Sequence, residues 1–251
     1  MQSVLFRGSS EAPFKGPMFR LRKRAFSERR QWRVCCRGDY ETDRFDALNP
    51  LYLCVVDRST LIGSLRILPT TGPYMLRDVF PQLLGGATAP SDPCIMEISR
   101  LCVDREGARH LGPSGRREVT QILLSSLFRA MWGQGIHTLL GVYDLQVGRV
   151  LSRVGCRPKA IGPICTMDRG LRTVAGQFTV DEDAIMRLES CLETGTPSNC
   201  IPHAVEGFHF WRLLHRALAR LTSFRATAVM MTLCGFPAFR KRSANAFMDG
   251  L

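Results

Sequence analysis

Two runs that otherwise read as buried β-strands each carry a charge. Arg66 lies inside the apolar run 61–68, and Glu97 lies inside the run 94–103, with Arg100 close behind it. An ionised side chain taken out of water without a partner loses several kcal/mol, so each of these charges requires a compensating group nearby in the fold. The segment between residues 22 and 100 supplies them: Arg22, then Glu41-x-Asp43-x-x-Asp46, with the aromatics Phe26 and Trp32 between. Arginines and acids matched within so short a region point to a polar, charge-balanced pocket. Such a pocket suits a zwitterionic small molecule better than a nucleic acid.

The rest of the chain reads as mixed α/β. Residues 14–31 form a basic helix with Phe19, Leu21, Ala25 and Phe26 inward, and residues 37–49 a polar loop. Strands at 51–56 and 61–68 flank Asp57-Arg58-Ser59-Thr60, a hairpin signal. A strand at 94–103 precedes Pro113-Ser114-Gly115, where Ser114 is a candidate N-cap. Val119, Ile122, Leu123, Leu127 and Met131 then keep helical spacing up to Gly133. A strand at 138–143, a short helix at 145–154, a second hairpin around Arg169-Gly170 and a capping box at Thr179-x-x-Glu182 follow. These elements give one sheet flanked by helices, with a division into residues 1–201 and a basic helical extension, 202–251. In that extension Arg212, Arg216 and Arg220 form a stripe, and it offers at most a weak membrane contact.

A length of 251 residues with 45% hydrophobic content supports a sizeable core. The net charge of +12 is scattered and fits an acidic protein partner better than nucleic acid, since no groove-reading or stacking motif accompanies it. The ten cysteines contain no Cys-x-x-Cys pair, and Cys35-Cys36 are too close to chelate one ion. No apolar segment precedes Arg7, so reduced thiols, no metal and a cytoplasmic setting are expected. Uncharged stretches fall short of the roughly 20 residues that span a bilayer.

The order of residues through this region resembles the acyl-homoserine-lactone synthase (autoinducer synthase) family of bacterial quorum sensing. The matching text is Leu21-Arg22-x-x-x-Phe26-x-x-x-x-x-Trp32, Glu41-x-Asp43-x-Phe45-Asp46, Gly63-Ser64-Leu65-Arg66 through Leu76, Phe80-Pro81 and Glu97-x-Ser99-Arg100. The resemblance implies an N-acetyltransferase-like fold with an acyl-carrier cleft between splayed strands. It implies N-acylation of S-adenosylmethionine, a substrate and not a cofactor, by an acyl carrier protein thioester or, less favoured, acyl-CoA. Lactone closure then releases 5′-methylthioadenosine. Glu97, Arg22 and Arg100 take the catalytic positions, with Glu97 steering proton removal and Arg100 ordering an N-terminal lid. Phe26, Trp32, Asp43, Asp46 and Arg66 face S-adenosylmethionine. Met75, Phe80, Ser99, Leu101, Leu140, Val142 and Leu151 line the acyl chain. Arg105, Arg109, Arg116, Arg117, Arg153 and Lys159 meet the carrier protein.

Each assignment has a plainer rival. Arg22 and Phe26 can be a solvated cation beside a core ring, Glu41, Asp43 and Asp46 an ordinary acidic loop, and Arg66 an edge arginine with its head in water. In a regular strand Glu97 and Arg100 face opposite sides, so each needs other partners. The rival enzyme is an acyl-CoA N-acyltransferase acting on another amine, and the rival non-enzyme a basic nucleic-acid-binding regulator.

Overall fold

A computed structural model describes residues 1–190 and the backbone of the short strand Cys200–Pro202. The extension 202–251 and the end expected for the last helix lie outside the described residues, apart from that strand. Within the described part the strands are β1 (Gln2–Arg7), β2 (Cys36–Arg37), β3 (Tyr40–Glu41), β4 (Leu51–Asp57), β5 (Thr60–Pro69), β6 (Ile95–Val103), β7 (Thr138–Asp144), β8 (Lys159–Ala160), β9 (Cys165–Thr166), β10 (Arg172–Thr179) and β11 (Cys200–Pro202). The helices are α1 (Lys15–Arg22), α2 (Met75–Asp78), α3 (Gly115–Trp132), α4 (Leu145–Arg153) and α5 (Glu182–Ser190). A nine-stranded mixed sheet runs in the order β11-β1-β4-β5-β6-β7-β10-β8, with β9 also on β10. Among the described residues no helix is long and apolar enough to cross a membrane.

The expected helix at 14–31 is present, but it changes pitch: α1 passes without a break into a π-helical stretch, Lys23–Arg29. Met18, Leu21, Ala25 and Phe26 keep its inner side buried against Phe6, Tyr52, Cys54 and Cys102. The polar loop expected at 37–49 is more ordered than its composition suggests. It holds the β2–β3 hairpin and a 3-10 turn, Arg44–Leu48, closed by a capping box between Asp43 and Asp46. The β4–β5 hairpin turns through Arg58 and Ser59, both left-handed (φ 46° and 67°), the geometry that matches strand twist in a two-residue turn.

Two sequence expectations about caps fail. Ser114 occupies the N-cap of α3 but makes no side-chain capping bond. At α5 the capping oxygen belongs to Asp181, which accepts from the Ala184 N–H at 2.6 Å, and not to Thr179. The hairpin expected around Arg169-Gly170 is reduced to β8 and β9, two short strands that both pair with β10.

The sheet opens where the chemistry is expected. β6 and β7 are parallel partners only from Ile95/Thr138 to Ile98/Gly141. Beyond that point β6 stays on β5 as far as Val103, while β7 stays on β10 as far as Asp144. Two parallel strands that diverge leave a cleft at their C-terminal ends, the general location of ligands in open α/β sheets. α3 packs across the reverse face, where its side chains meet Gly63 of β5. A Cβ built on Gly63 would lie 2.7 Å from Val119 Cγ1 and 3.1 Å from Leu123 Cδ1. Gly63→Ala is therefore expected to destabilise the protein by about 1–3 kcal/mol through overpacking. Urea denaturation measures this, and an unchanged midpoint would contradict the close packing.

Candidate active site

The site is assembled from three pieces of chain. The helical segment delivers Arg22 and Phe26, the hairpin and 3-10 turn deliver Glu41, Asp43 and Asp46, and the central strands deliver Tyr52, Arg66, Glu97, Ser99 and Arg100. Arg22 is 1% exposed at the end of α1 and donates to Glu41 at 2.5 Å and, through both terminal nitrogens, to Asp46 at 2.8 and 2.9 Å. Arg66 is fully buried and grips Asp43 through two nitrogens at 2.5 and 3.0 Å, with further bonds to Asp46 at 2.9 Å and Ser99 at 3.1 Å. Arg100 closes the ring on Glu41 at 2.9 Å and Asp43 at 2.8 Å. Three guanidinium groups thus face three carboxylates, and the cluster is neutral. Forked pairs of this kind carry geometric specificity as well as charge.

The arrangement decides between the readings left open by the sequence. Arg22 and Arg66 are buried ion-pair partners and not solvated cations. Asp43 and Asp46 are at once an ordinary cap and part of the cluster. Asp46 accepts the Asp43 N–H at 2.8 Å, and Asp43 accepts the Phe45 N–H at 2.9 Å. Glu41 is read from the sequence as a charge partner without a site role, and Tyr52 has no reading there. Glu41, 0% exposed, bridges Arg22 and Arg100, and Tyr52 donates to Asp46 at 2.6 Å. A tyrosine amid an apolar run gives no local signal. Glu41 opens the acidic motif, and its burial between two arginines is what gives it a place in the site.

Electrostatics follow from the packing. Burial would raise the Asp46 carboxyl, but the bond from Arg22 and the charges of Arg22 and Arg66 outweigh it and hold the group well below the usual carboxylate range. Burial would lower Arg22, and Asp46 and Glu41 overturn that and push it up. Tyr52 is raised by burial and by Asp46, so it stays a donor.

Arg100 corrects the regular-strand expectation. Ser64 pairs with Cys102 and Arg66 with Ser99, so Leu65 alone stands opposite Arg100 and Leu101. This is a β-bulge, and Arg100 adopts left-handed backbone (φ 54°), which costs a non-glycine residue roughly 1 kcal/mol or more. The bulge brings Arg100 onto the face that carries Ser99 and Arg66, where it reaches Glu41 and Asp43. It also sets the guanidinium 5.5 Å over the Phe26 ring, and Phe26 stacks on Trp32 at 5.4 Å with 14° between planes.

Glu97 stands one residue before the strands part. Its oxygens accept the N–H groups of Met75 at 2.8 Å and Leu76 at 2.6 Å, so it caps α2 from a neighbouring strand. Burial dominates its environment and raises its pKa to about 7 despite those two bonds. Each oxygen retains lone-pair capacity.

The seven expected acyl-lining residues do not all meet. Met75, Phe80, Leu140 and Val142 share one apolar cluster with Leu68, Tyr74 and Leu84. Ser99 is instead bonded to Arg66, Leu101 is a half-buried strand residue beside the cleft, and Leu151 is a buried α4 residue outside that cluster. The carrier-facing cations divide too. Arg105, Arg109, Arg116 and Arg117 are exposed on the segment joining the open end of β6 to the start of α3. Arg153 ends α4, and Lys159 pairs through β8 with Gln177 and borders, with Arg157 and Arg187, a cavity of about 620 Å³ walled by Phe128 and Phe178. None of the ion-cluster residues lines that cavity.

The family model of the autoinducer synthases matches residues 8–188. An acyl-homoserine-lactone synthase of Pseudomonas aeruginosa is 35% identical over 151 residues, covering 59% of this chain and 74% of that protein. A probable acyl-homoserine-lactone synthase of Sinorhizobium fredii is 33% identical over 183 residues, covering 72% of this chain and 88% of its own length. Among solved structures, the AHL synthase LasI superposes with a TM-score of 0.66 at 31% identity, covering 78% of this chain and 99% of that one. BjaI, a CoA-dependent acyl-homoserine lactone synthase solved with SAM and isopentyl-CoA, gives 0.70 at 21% identity, over 84% and 99%, a likeness of fold.

Glu97 makes a pH prediction. The folded chain favours the neutral acid, so between the ordinary value of 4.5 and about 7 it holds a proton that the unfolded chain has released. The stabilisation is complete below pH 4.5 and is lost as pH rises through about 7. The melting temperature of the wild type is expected to fall relative to that of Glu97→Gln between pH 5 and pH 8, by circular dichroism. A gap independent of pH would contradict the burial argument.

Proposed function

This chain belongs to the autoinducer synthase family, and from that premise we propose how its residues divide the work. The protein is an acyltransferase that makes an N-acyl homoserine lactone from S-adenosylmethionine and an acyl thioester. The observation that carries the division of labour is the neutral ion cluster beside Glu97, at the point where β6 and β7 part.

The attacking amine of S-adenosylmethionine must lose a proton to react with the thioester carbon. Glu97, with a pKa of about 7, is matched to take it near neutral pH, directly or through a water. The thioester carbon then gains the nitrogen, and the carrier sulfur leaves with the bonding pair and picks up a proton. In the second step the methionine carboxylate attacks its own γ-carbon and 5′-methylthioadenosine departs. That step needs orientation more than acid or base, since a sulfonium is already a good leaving group.

Phe26 and Trp32 form the aromatic wall for the adenosyl group, as their stacking supports. Asp43, at 16% exposure, is the most accessible of the three acids and takes the substrate's cationic end, while Asp46, at 8%, holds the arginines in place. Arg66 and Arg100 fix Asp43, and Arg22 ties the helical segment to the β2–β3 hairpin and the 3-10 turn. The acyl chain extends from the cleft over Met75, Leu140 and Val142. The donor is an acyl carrier protein, an acidic partner, and the exposed Arg105, Arg109, Arg116 and Arg117 support that choice.

Incubation of the purified protein with S-adenosylmethionine and a panel of acyl carrier protein and CoA thioesters tests the reading. Lactone and 5′-methylthioadenosine are expected in equal amounts, and Glu97→Gln is expected to lose about 10²–10⁴ in turnover while remaining folded. Acylated amine without methylthioadenosine would favour a plain N-acyltransferase. Near-normal turnover by Glu97→Gln would remove Glu97 from the role of base.

A further inference from the structure

The N-terminal segment crosses the open end of the cleft. On the β6 side it begins with Arg100, whose guanidinium covers Phe26 at 5.5 Å, and Phe26 stacks on Trp32. The Arg30 guanidinium lies over Trp32, 5.0 Å from the ring centre. Arg30 then donates to Asp144 at 2.7 Å. Asp144 is the last residue of β7, is 6% exposed, and uses its second oxygen to cap α4 through the Val147 N–H at 2.8 Å. A chain of contacts, cation to ring to ring to cation, therefore runs from β6 to β7 across the gap left by their divergence. A second tie lies alongside: Arg169, in the turn before β10, donates to the Gln31 side chain at 2.8 Å. Gln31 and Arg169 both hold left-handed backbone, φ 53° and 60°.

These contacts do more than the core requires. The sheet is already joined by the β6–β7 pairing at its closed end, and the helical segment is already anchored by Arg22. Arg30 is 31% exposed, so its ion pair adds little to stability. What it fixes is the place of Trp32. Cation–π contacts to tryptophan are directional and strengthen when partly shielded from water. With Arg30 held by Asp144, the indole is in contact with both a fixed guanidinium and the Phe26 ring.

We propose that Arg30 and Asp144 are positioning residues that latch the N-terminal segment across the cleft and hold Trp32 in its substrate-binding pose. This rests on the reading of Phe26 and Trp32 as the adenosyl wall. The latch couples the two halves of the sheet: S-adenosylmethionine binds to a wall whose outer end is fastened to the strand that borders the acyl donor.

Calorimetric titration with S-adenosylmethionine, and separately with 5′-methylthioadenosine, tests this without an acyl donor. Arg30→Gln and Asp144→Asn are each expected to weaken both by roughly threefold to tenfold, in line with one part-exposed charge-assisted contact. Asparagine keeps the capping oxygen, so α4 stays intact, and melting temperatures are expected to stay near wild type. The double variant is expected to be no weaker than either single one, and Arg30→Lys is expected to recover part of the loss. Iodide quenching of Trp32 emission, isolated by subtracting a Trp32→Phe control, is expected to rise in both variants before ligand is added. Wild-type affinity in Arg30→Gln, or additive losses in the double variant, would overturn the latch. Trp32→Ala separates the two ideas. If it loses affinity while Arg30→Gln does not, the latch alone fails. If Trp32→Ala binds normally, the adenosyl-wall reading fails and the latch fails with it.

Discussion

The compensated burial of Arg22, Arg66, Glu41 and Asp46 is the constraint on which the site depends. Each is 8% exposed or less, and each is in reach of an opposite charge. A lone buried charge is costly enough to exclude, whereas a well-formed cluster recovers much of its desolvation through short, forked contacts. The cluster therefore behaves as a unit. With Asp43 and Arg100 its members come from α1, β3, the capped turn, β5 and β6, so satisfying the charges fixes the relative positions of five elements. The result is a polar surface formed by the fold itself, ready before any substrate arrives. Such preorganisation is what a reaction between two bound substrates needs.

The cleft and the bulge are two consequences of the same region of β6. The strand pairs with both neighbours up to Ile98, then keeps only β5. Losing one partner allows Ser99, Arg100 and Leu101 to depart from regular alternation, and the bulge turns Arg100 toward the acids. Glu97 remains in the doubly paired part, shielded enough for burial to raise its pKa. A buried carboxyl and a charge anchor thus sit within a few residues of one another while occupying different electrostatic environments.

Much of this was legible in the sequence, for identifiable reasons. Arg66 and Glu97 were conspicuous because a charge within an apolar strand has few explanations. The β4–β5 hairpin and α3 announced themselves through turn chemistry and periodicity. Arg100 was assigned a partner other than Glu97 correctly, but its face was not, because nothing in Glu-Ile-Ser-Arg marks a bulge that glycine would normally occupy. Tyr52 was invisible because its hydroxyl partner is set by tertiary packing. Ser114 and Thr179 have capping chemistry, yet Ser114 sits in helical backbone without a capping bond and Asp181 supplies the cap at α5. Of the basic residues, Arg153 and Lys159 are grouped with the others as flanking one cleft, while the fold puts Arg153 at the end of α4 and Lys159 on β8, paired with β10.

A double-mutant cycle on Arg22 and Asp46, followed by urea denaturation at neutral pH, tests the dependence of the fold on this cluster most directly. Arg22→Gln and Asp46→Asn are each predicted to cost about 3–5 kcal/mol, because each strands a buried partner. The double variant is predicted to fall short of the sum by at least about 2 kcal/mol, at the upper end of couplings between residues in contact. Single losses within about 1 kcal/mol that simply add would contradict the account and make the cluster a passenger of the fold.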